Sequence, residues 1–250
     1  MVQRSADGQT GWAQISTTGA GVLAYSDTGL SATTTYYYRV HATNSVGSGG
    51  DSPVASATTA AGNVLFTDSF GEPSVNPAWQ FVGGRWAQSG GVLQQTSTAR
   101  SDPRKAVVAG RAFPAAVEVT ARVRVDSWSG GLYARAGVGL YTNAAGEGYN
   151  LVFHNDTHTV QFLDDHVTWG NAYSFSWQVG TWYWFKLEAL GGALYGKVWA
   201  DGTPEPAAWM FTQSGWSDRS SGGAPALNGG SIGAGPSAAS FDAVTVTNPE

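Results

Sequence analysis

The chain has 250 residues, of which 42% are hydrophobic and only 12% are charged, and its formal net charge is −5. That balance supplies no basic surface for nucleic acid or an anionic membrane, and no apolar run approaches the ~20 residues of a membrane span, so we expect neither partner. The hydrophobic content suffices for a packed core. Because there is no cysteine, disulfides, thiol catalysis and thiolate metal sites are excluded. The 11 Trp and 10 Tyr are numerous enough to fill a core and still leave rings for a binding face.

Polar and apolar residues alternate along most of the chain, and clusters of Gly, Asn, Asp and Ser interrupt the alternation at short intervals. This pattern predicts an all-β protein. In the first region, Tyr36 and Tyr38 share the apolar face of a predicted half-buried strand. Small residues around 58–63 separate two β-patterned regions, so we predict one unit over residues 1–60 and a second over residues 61–250.

Residues 2–59 resemble the second half of a fibronectin type III domain. Leu30 and Tyr36 have the six-residue spacing of that family's tyrosine corner, in which the Tyr hydroxyl bonds to the main chain. A complete domain of this family needs about 100 residues, so the resemblance implies an incomplete segment with an uncovered apolar face. We expect this face to pack against the second unit, to self-associate with another copy of the chain, or to be poorly ordered.

The rest of the chain, residues 64–247, resembles a concanavalin-like (laminin-G-like) jelly roll. The segments that carry this resemblance follow one another in the family's order: Leu65-Phe66-Thr67-Asp68-Ser69-Phe70, Gly84-Arg85-Trp86, Gly90-Gly91-Val92-Leu93-Gln94, residues 117–125, Gly148-Tyr149-Asn150-Leu151, Lys197-Val198-Trp199-Ala200-Asp201-Gly202, and Phe241-Asp242-Ala243-Val244-Thr245-Val246. The resemblance implies a β-sandwich preceded by the small, incomplete β-segment.

The same resemblance implies a structural calcium ion. The family commonly joins its first and last strands with carboxylates around calcium, and Asp68 and Asp242 occupy the matching positions. Calcium suits such a site because it accepts six to eight hard oxygen ligands in irregular geometry. The alternative is that both carboxylates satisfy turn amides or lie in solvent.

Alternation assigns one face of each strand to the core and leaves the other outward. In this family a sugar is usually held on the concave sheet, and planar polar groups beside aromatic rings suit a sugar because rings stack on its apolar C–H faces. The predicted ligand-binding residues on this face are Tyr133, Arg135, Asn150, His154, Gln161 and Trp184. The alternative is a solvated sheet face on which charged side chains bridge neighbouring strands.

A glycoside hydrolase would need two close carboxylates. Jelly-roll glucanases usually carry them two and four residues apart on one strand, whereas here Glu118 is followed two residues later by Thr120. The absence of a second carboxylate at this spacing argues against the common glucanase chemistry. The first carboxylates to test would be Glu188, Asp164, Asp156 and Asp102.

A lyase acting on uronate polymers is the other catalytic alternative. Such an enzyme would neutralise the uronate carboxylate with Arg or an amide, and would use His or Tyr as base and acid. The candidate catalytic residues are His154, Arg135 and Gln161, with Asn150 and Tyr133 as further members of suitable type.

Several other features have ordinary explanations. His154, Asp156 and His158 flank a predicted turn and could form a zinc or copper cluster, but polar residues are common at hairpin ends. Trp169, Trp177 and Trp216 occur in loop-like surroundings, where they would cap the sandwich or wall a cleft.

The sequence as a whole favours a non-catalytic module that binds polysaccharide or oligosaccharide and belongs to a secreted bacterial polysaccharide-degrading protein. A lyase or glycoside hydrolase on the concave face is the alternative, and a structural or adhesive domain is the third. The first two readings differ in whether the chain only binds the sugar or also cleaves it.

Overall fold

A computed structural model describes residues 1–27, 30–31, 33–59, 63–97, 103–128, 135–154, 158–165, 168–216, 223–230 and 237–249, with only the backbone of Arg135. These residues form strands, turns and irregular segments. Within them, no helix is long and apolar enough to cross a membrane. The chain divides into two compact units, Met1–Gly62 and Asn63–Glu250.

The first unit is built from short strands. They are β1 (Val2–Ser5), β2 (Ala13–Ser16), β3 (Thr35–Val40), β4 (Thr43–Asn44), β5 (Gly47–Ser48) and β6 (Ala55–Thr58). Four of them form a sheet in the order β2-β1-β3-β6, and β4 pairs with β5. The buried Tyr36 hydroxyl accepts a hydrogen bond from the Ser31 amide at 3.0 Å. This bond has the form expected of a tyrosine corner, but it does not by itself establish a fibronectin type III domain.

Apolar side chains remain at the surface of this unit. Leu23 is fully exposed, and Val22, Tyr25 and Val40 are about half exposed. Residues 18–25 and the adjoining sheet border a cleft of about 920 Å³. The first unit therefore does not bury all of its own large apolar side chains.

The described residues of the second unit include fifteen strands. They are β7 (Asn63–Asp68), β8 (Trp79–Val82), β9 (Trp86–Ser89), β10 (Val92–Gln95), β11 (Lys105–Val108), β12 (Val117–Trp128), β13 (Arg135–Thr142), β14 (Tyr149–His154), β15 (Thr159–Asp164), β16 (Thr168–Ser174), β17 (Tyr183–Leu190), β18 (Ala193–Ala200), β19 (Phe211–Ser214), β20 (Ala224–Asn228) and β21 (Ser237–Asn248). An eight-stranded sheet has the order β19-β18-β17-β12-β21-β10-β9, with β7 also paired to β21, and a seven-stranded sheet has the order β16-β15-β14-β13-β20-β11-β8.

The core lies between these two sheets because alternate residues of their strands are apolar and point inward. On β12, the inward Val119 and Val123 are at most 1% exposed. Phe153 of the opposite sheet packs against Phe185 at a ring distance of 4.7 Å and against Trp177 at 4.6 Å. Each such buried ring contributes roughly 1.5–3 kcal/mol. The all-β structure predicted from the alternation and the β-sandwich implied by the family resemblance are confirmed, and Trp177 is one of the core residues.

Candidate functional site

A single cross-strand row runs over the outer face of the seven-stranded sheet, the face directed away from the core. Consecutive register pairs join its members, which are Trp169, Leu163, Asn150, Gly139, Ala226, Val107 and Gln80. Six strand spacings of about 4.8 Å separate its ends by about 29 Å. The middle of the row is buried, whereas Trp169 is partly exposed and Gln80 is exposed. The accessible parts of the row are therefore its two ends.

At the first end, Trp169 stacks on a histidine. The rings of His154 and Trp169 lie 3.8 Å apart at an interplanar angle of 30°. Gln161 donates from Nε2 to the Gly170 carbonyl at 3.0 Å. Arg135 is paired with His154 in the register of β13 and β14. Three positions of the predicted binding set thus meet at the Trp169 end, together with a tryptophan that the sequence placed only in a loop.

Asn150 lies on the predicted face but is completely buried. Its Oδ1 accepts hydrogen bonds from Lys105 Nζ at 2.8 Å and from Asn228 Nδ2 at 3.0 Å. Its Nδ2 donates to Asp165 Oδ2 at 2.7 Å, and Lys105 also pairs with Asp165 at 2.9 Å. Gly139 leaves room for this cluster, because a Cβ there would be 2.6 Å from Asn150 Oδ1. The expectation that Asn150 contacts a sugar is corrected, since its hydrogen-bonding groups are already used inside the sheet.

Trp184 does not belong to this face. It lies on β17, in the eight-stranded sheet, where its ring stacks on Trp199 at 6.1 Å and its Nε1 donates to Asp201 Oδ1 at 2.9 Å. The outward orientation was correct, but the assignment to the same surface as His154 was wrong. Alternation identifies the face of a strand and carries no information about which of two sheets the strand joins.

Several predicted positions lie outside the described residues, namely Tyr133, Asp102 and Asp156, as does the side chain of Arg135. Asp164 is buried at the end of β15. His158 Nδ1 lies 3.4 Å from Ser176 Oγ. The described residues contain no group of three or more His, Asp and Glu side chains able to hold a metal ion.

The two carboxylates assigned to calcium already accept hydrogen bonds. Asp68 accepts from the Phe70 amide at 2.7 Å and from Trp79 Nε1 at 2.8 Å. Asp242 accepts from Arg122 Nη1 at 2.9 Å and from the Ala243 amide at 2.7 Å. Both oxygens of each carboxylate therefore already accept a hydrogen bond, and the described residues gather no group of three acidic or histidine side chains around them.

A second polar cluster lies on the outer face of the eight-stranded sheet. Glu118 of β12 is in register with Glu188 of β17. Lys186 contacts Glu118 at 3.6 Å and Glu205 at 3.0 Å, and Lys197 contacts Glu205 at 2.8 Å. Burial, and secondarily the charge of Glu118, raises the pKa of Glu188 to about 8. Glu188 is completely buried and Glu118 is 5% exposed, so this carboxylate pair is closed to a polymer substrate in the structure.

No protein-family model matches the sequence, and no curated protein matches it either. Solved structures match the fold. A carbohydrate-binding module, CBM66 from Bacillus subtilis, has a TM-score of 0.55 and 16% identity, over 70% of this chain and 99% of that one. A Bacillus subtilis protein of unknown function with a galectin-like fold has a TM-score of 0.55 and 11% identity, over 75% of this chain and 96% of that one. The VIP36 lumenal domain, bound to Ca²⁺ and Man3GlcNAc, has a TM-score of 0.54 and 10% identity, over 74% of this chain and 90% of that one.

The second unit has a galectin-like, concanavalin-like jelly-roll fold. At these identities the likeness concerns the fold alone, and the function has to be argued from the site. The laminin-G-like subtype stays a prediction.

Proposed function

We propose that this protein binds a polysaccharide or oligosaccharide without cleaving it, at the Trp169 end of the seven-stranded sheet. The observation that carries the proposal is the partly exposed Trp169 ring, held by stacking on His154 and flanked by Gln161. An indole ring offers an apolar surface to the C–H face of a sugar, while nearby planar polar groups can orient its hydroxyls. Because its ring is already stacked on a buried neighbour, Trp169 would lose little conformational entropy on binding.

The class of similar structures supports a sugar ligand, since it includes a carbohydrate-binding module and a lumenal domain solved with a bound glycan. As part of the same proposal, the protein is a secreted bacterial module of a polysaccharide-degrading protein, and its first unit is an incomplete fibronectin type III-like segment. The hydrogen bond that the Ser31 amide donates to the Tyr36 hydroxyl supports the last point.

Binding is favoured over catalysis by the state of the candidate catalytic residues. Asn150 is fully engaged within the sheet, and Gln161 is bonded to a main-chain carbonyl. The carboxylate pair of Glu118 and Glu188 is buried on the other sheet. The buried carboxylate pair does not present an acid and a base to an accessible surface, as a hydrolase requires, and the two amides already bond within the protein instead of facing a uronate carboxylate, as a lyase requires.

The proposal is tested by native gel electrophoresis through neutral and uronate polysaccharides, with Kd measured by calorimetry for any polymer that retards the protein. We expect Trp169→Ala to weaken binding at least about tenfold, or about 1.4 kcal/mol. Trp184→Ala is the matched control, because it removes an outward indole from the opposite sheet. Equal binding by wild type and Trp169→Ala, or loss only in Trp184→Ala, would contradict the proposed site. Release of reducing ends or of unsaturated uronate ends would show catalysis instead.

A further inference from the structure

The connection between β18 and β19 is longer than a hairpin needs. The two strands are paired, with Gly196 in register with Phe211, yet residues 201–210 lie between them. A β-hairpin loop usually has about 2–5 residues. The Met210 amide donates to the Gly196 carbonyl at 3.1 Å, so this connection, which we call the strap, returns along β18 before β19 begins.

Two side chains attach the strap to the outer face of the eight-stranded sheet. Glu205 accepts a hydrogen bond from Lys197 Nζ at 2.8 Å and pairs with Lys186 Nζ at 3.0 Å. The Trp209 ring lies over Lys197 at 4.7 Å and beside the Tyr195 ring at 5.7 Å. The Glu205 side chain is 34% exposed, so water competes for this carboxylate and the attachment can be released.

A buried carboxyl group lies next to this attachment. Glu188 is in register with Tyr195, whose ring contacts Trp209, and on its other side with Glu118. It points to the outer face of the sheet and is nevertheless completely buried. Among the described residues, neither oxygen of Glu188 has a hydrogen-bond partner, and Glu118 Oε2 has none either. A carboxylate in such a place is costly, so the closed strap favours the protonated form.

The cluster is balanced in charge only when it holds a proton. The titratable side chains around Glu188 come from three strands and the strap, and they are Glu118, Lys186, Lys197, Tyr195 and Glu205. When one of the two facing glutamates is protonated, two carboxylates balance two ammonium groups. Ionisation of Glu188 adds a third negative charge. Because Lys186 lies two residues from Glu188 on the same face of β17, the ionised Glu188 competes with Glu205 for it.

We infer that the strap is a pH-sensitive lid, which lies closed while Glu188 is protonated and lifts when Glu188 ionises and draws Lys186 away from Glu205. One proton passes to solvent and one ion pair is exchanged, and no covalent bond changes. The inference is independent of the proposed function, because Trp169 lies on the other sheet.

The direction of the response follows from proton linkage. Burial, with a further contribution from the charge of Glu118, raises the pKa of Glu188 from 4.5 to about 8 in the closed state. In the lifted state water reaches this carboxyl, and its pKa returns towards the ordinary value. The closed state therefore holds the proton more tightly. The open population should increase as the pH rises from about 5 to about 8, and should level off above that.

The test is fluorine NMR of protein labelled with 5-fluorotryptophan, with the Trp209 signal assigned from Trp209→Phe. Between pH 5 and pH 9 we expect the open fraction read from this signal to increase at least about tenfold in the wild type, while the signal of the core residue Trp177 stays in place. Glu188→Gln cannot ionise and should keep the strap closed throughout. Glu205→Gln should open it already at pH 5. Glu72→Gln is the control, because it removes a carboxylate from an exposed residue and should behave as wild type.

Three results would overturn the inference. They are a Trp209 signal that does not respond to pH in the wild type, an equal response in Glu188→Gln, and a joint change of the Trp209 and Trp177 signals, which would indicate unfolding of the whole sandwich. If Glu188→Gln fails to fold, the wild-type comparison of Trp209 with Trp177 still decides. An unshifted Trp209 signal in Glu205→Gln at pH 5 would also reject the lid. None of these outcomes affects polysaccharide binding through Trp169.

Discussion

Glu118 and Glu188 lie directly opposite each other on antiparallel strands, with both side chains on the outer face of the eight-stranded sheet. Neither oxygen of Glu188 has a hydrogen-bond partner among the described residues. Burial raises the pKa of this carboxyl to about 8, with a further contribution from the charge of Glu118. Burial also raises the pKa of Glu118, and Lys186, 3.6 Å away, only partly offsets this effect. Glu188 is therefore the member of the pair that we expect to be mostly protonated at neutral pH.

The first prediction concerns Glu188→Gln and pH. The folded-state pKa of Glu188 lies above its ordinary value of 4.5, so the folded protein retains a proton that the unfolded chain releases. Wild-type stability contributed by this group is present below about pH 4.5 and is lost as the pH rises towards about 8. The melting temperature of Glu188→Gln, relative to wild type, should therefore increase from about pH 5 to about pH 9. Calorimetric scans across this range measure the difference.

A pH-independent difference between the two proteins would contradict a protonated Glu188. Glu205→Gln provides the comparison, because Glu205 pairs with both Lys186 and Lys197. Removing its charge should lower stability around neutral pH rather than raise it at alkaline pH.

The second prediction concerns the packing of Gly139 against Asn150. Gly139→Ala places a methyl group 2.6 Å from Asn150 Oδ1 and should displace the hydrogen-bonded cluster. We expect a loss of about 1–3 kcal/mol in the free energy of unfolding, measured in urea. Gly71→Ala is the control, because its nearest neighbour, Ser69 Oγ, would be at an ordinary 3.5 Å. Equal stability of the two variants would show that the cluster can shift without cost.

The third prediction concerns calcium. Because Asp68 and Asp242 are occupied by amide, indole and guanidinium donors, neither EDTA nor millimolar calcium should change the melting temperature. A specific ion bound to the folded state would raise it in proportion to the logarithm of its concentration. A rise that Asp68→Asn abolishes would restore the calcium site implied by the family resemblance.

The fourth prediction concerns self-association of the first unit. Leu23 is fully exposed beside Val22 and Tyr25, and a contiguous apolar surface of this kind promotes contacts between proteins. We predict a concentration-dependent increase in sedimentation coefficient that Leu23→Asp suppresses. Thr17→Asp, which adds the same charge nearby on the chain, should leave it unchanged. A wild type that stays monomeric at high concentration would reject the prediction.

Alternation was sufficient to predict an all-β chain and its inward residues, whereas the sandwich was implied by the family resemblance. The strand expected over 117–125 is present as Val117–Trp128, and the closing strand expected over 241–246 is present as Ser237–Asn248. Alternation could not assign Trp184 to the correct sheet, because sheet membership depends on strand order, which is a long-range property. Nor could it reveal that Asn150 is buried, since that depends on Lys105 and Asn228, residues distant in the chain.

Trp169 was missed for a local reason. It is followed by Gly170 and Asn171, residues that favour turns, so the segment has a weak strand pattern. The structure nevertheless adds Thr168–Ser174 as the edge strand of the sheet. Side-chain bonds to the other sheet support this edge, including Tyr173 Oη to the Thr212 carbonyl at 2.6 Å.

The cluster around Asn150 also bears on how long the folded state lasts. Its links join residues 45, 60 and 78 positions apart in the chain, so they form only after the loops between them have closed. Contacts that form after the rate-limiting step of folding leave the folding rate unchanged and retard unfolding. We therefore expect the buried ion pair of Lys105 and Asp165 to slow unfolding of the sandwich more than it speeds folding.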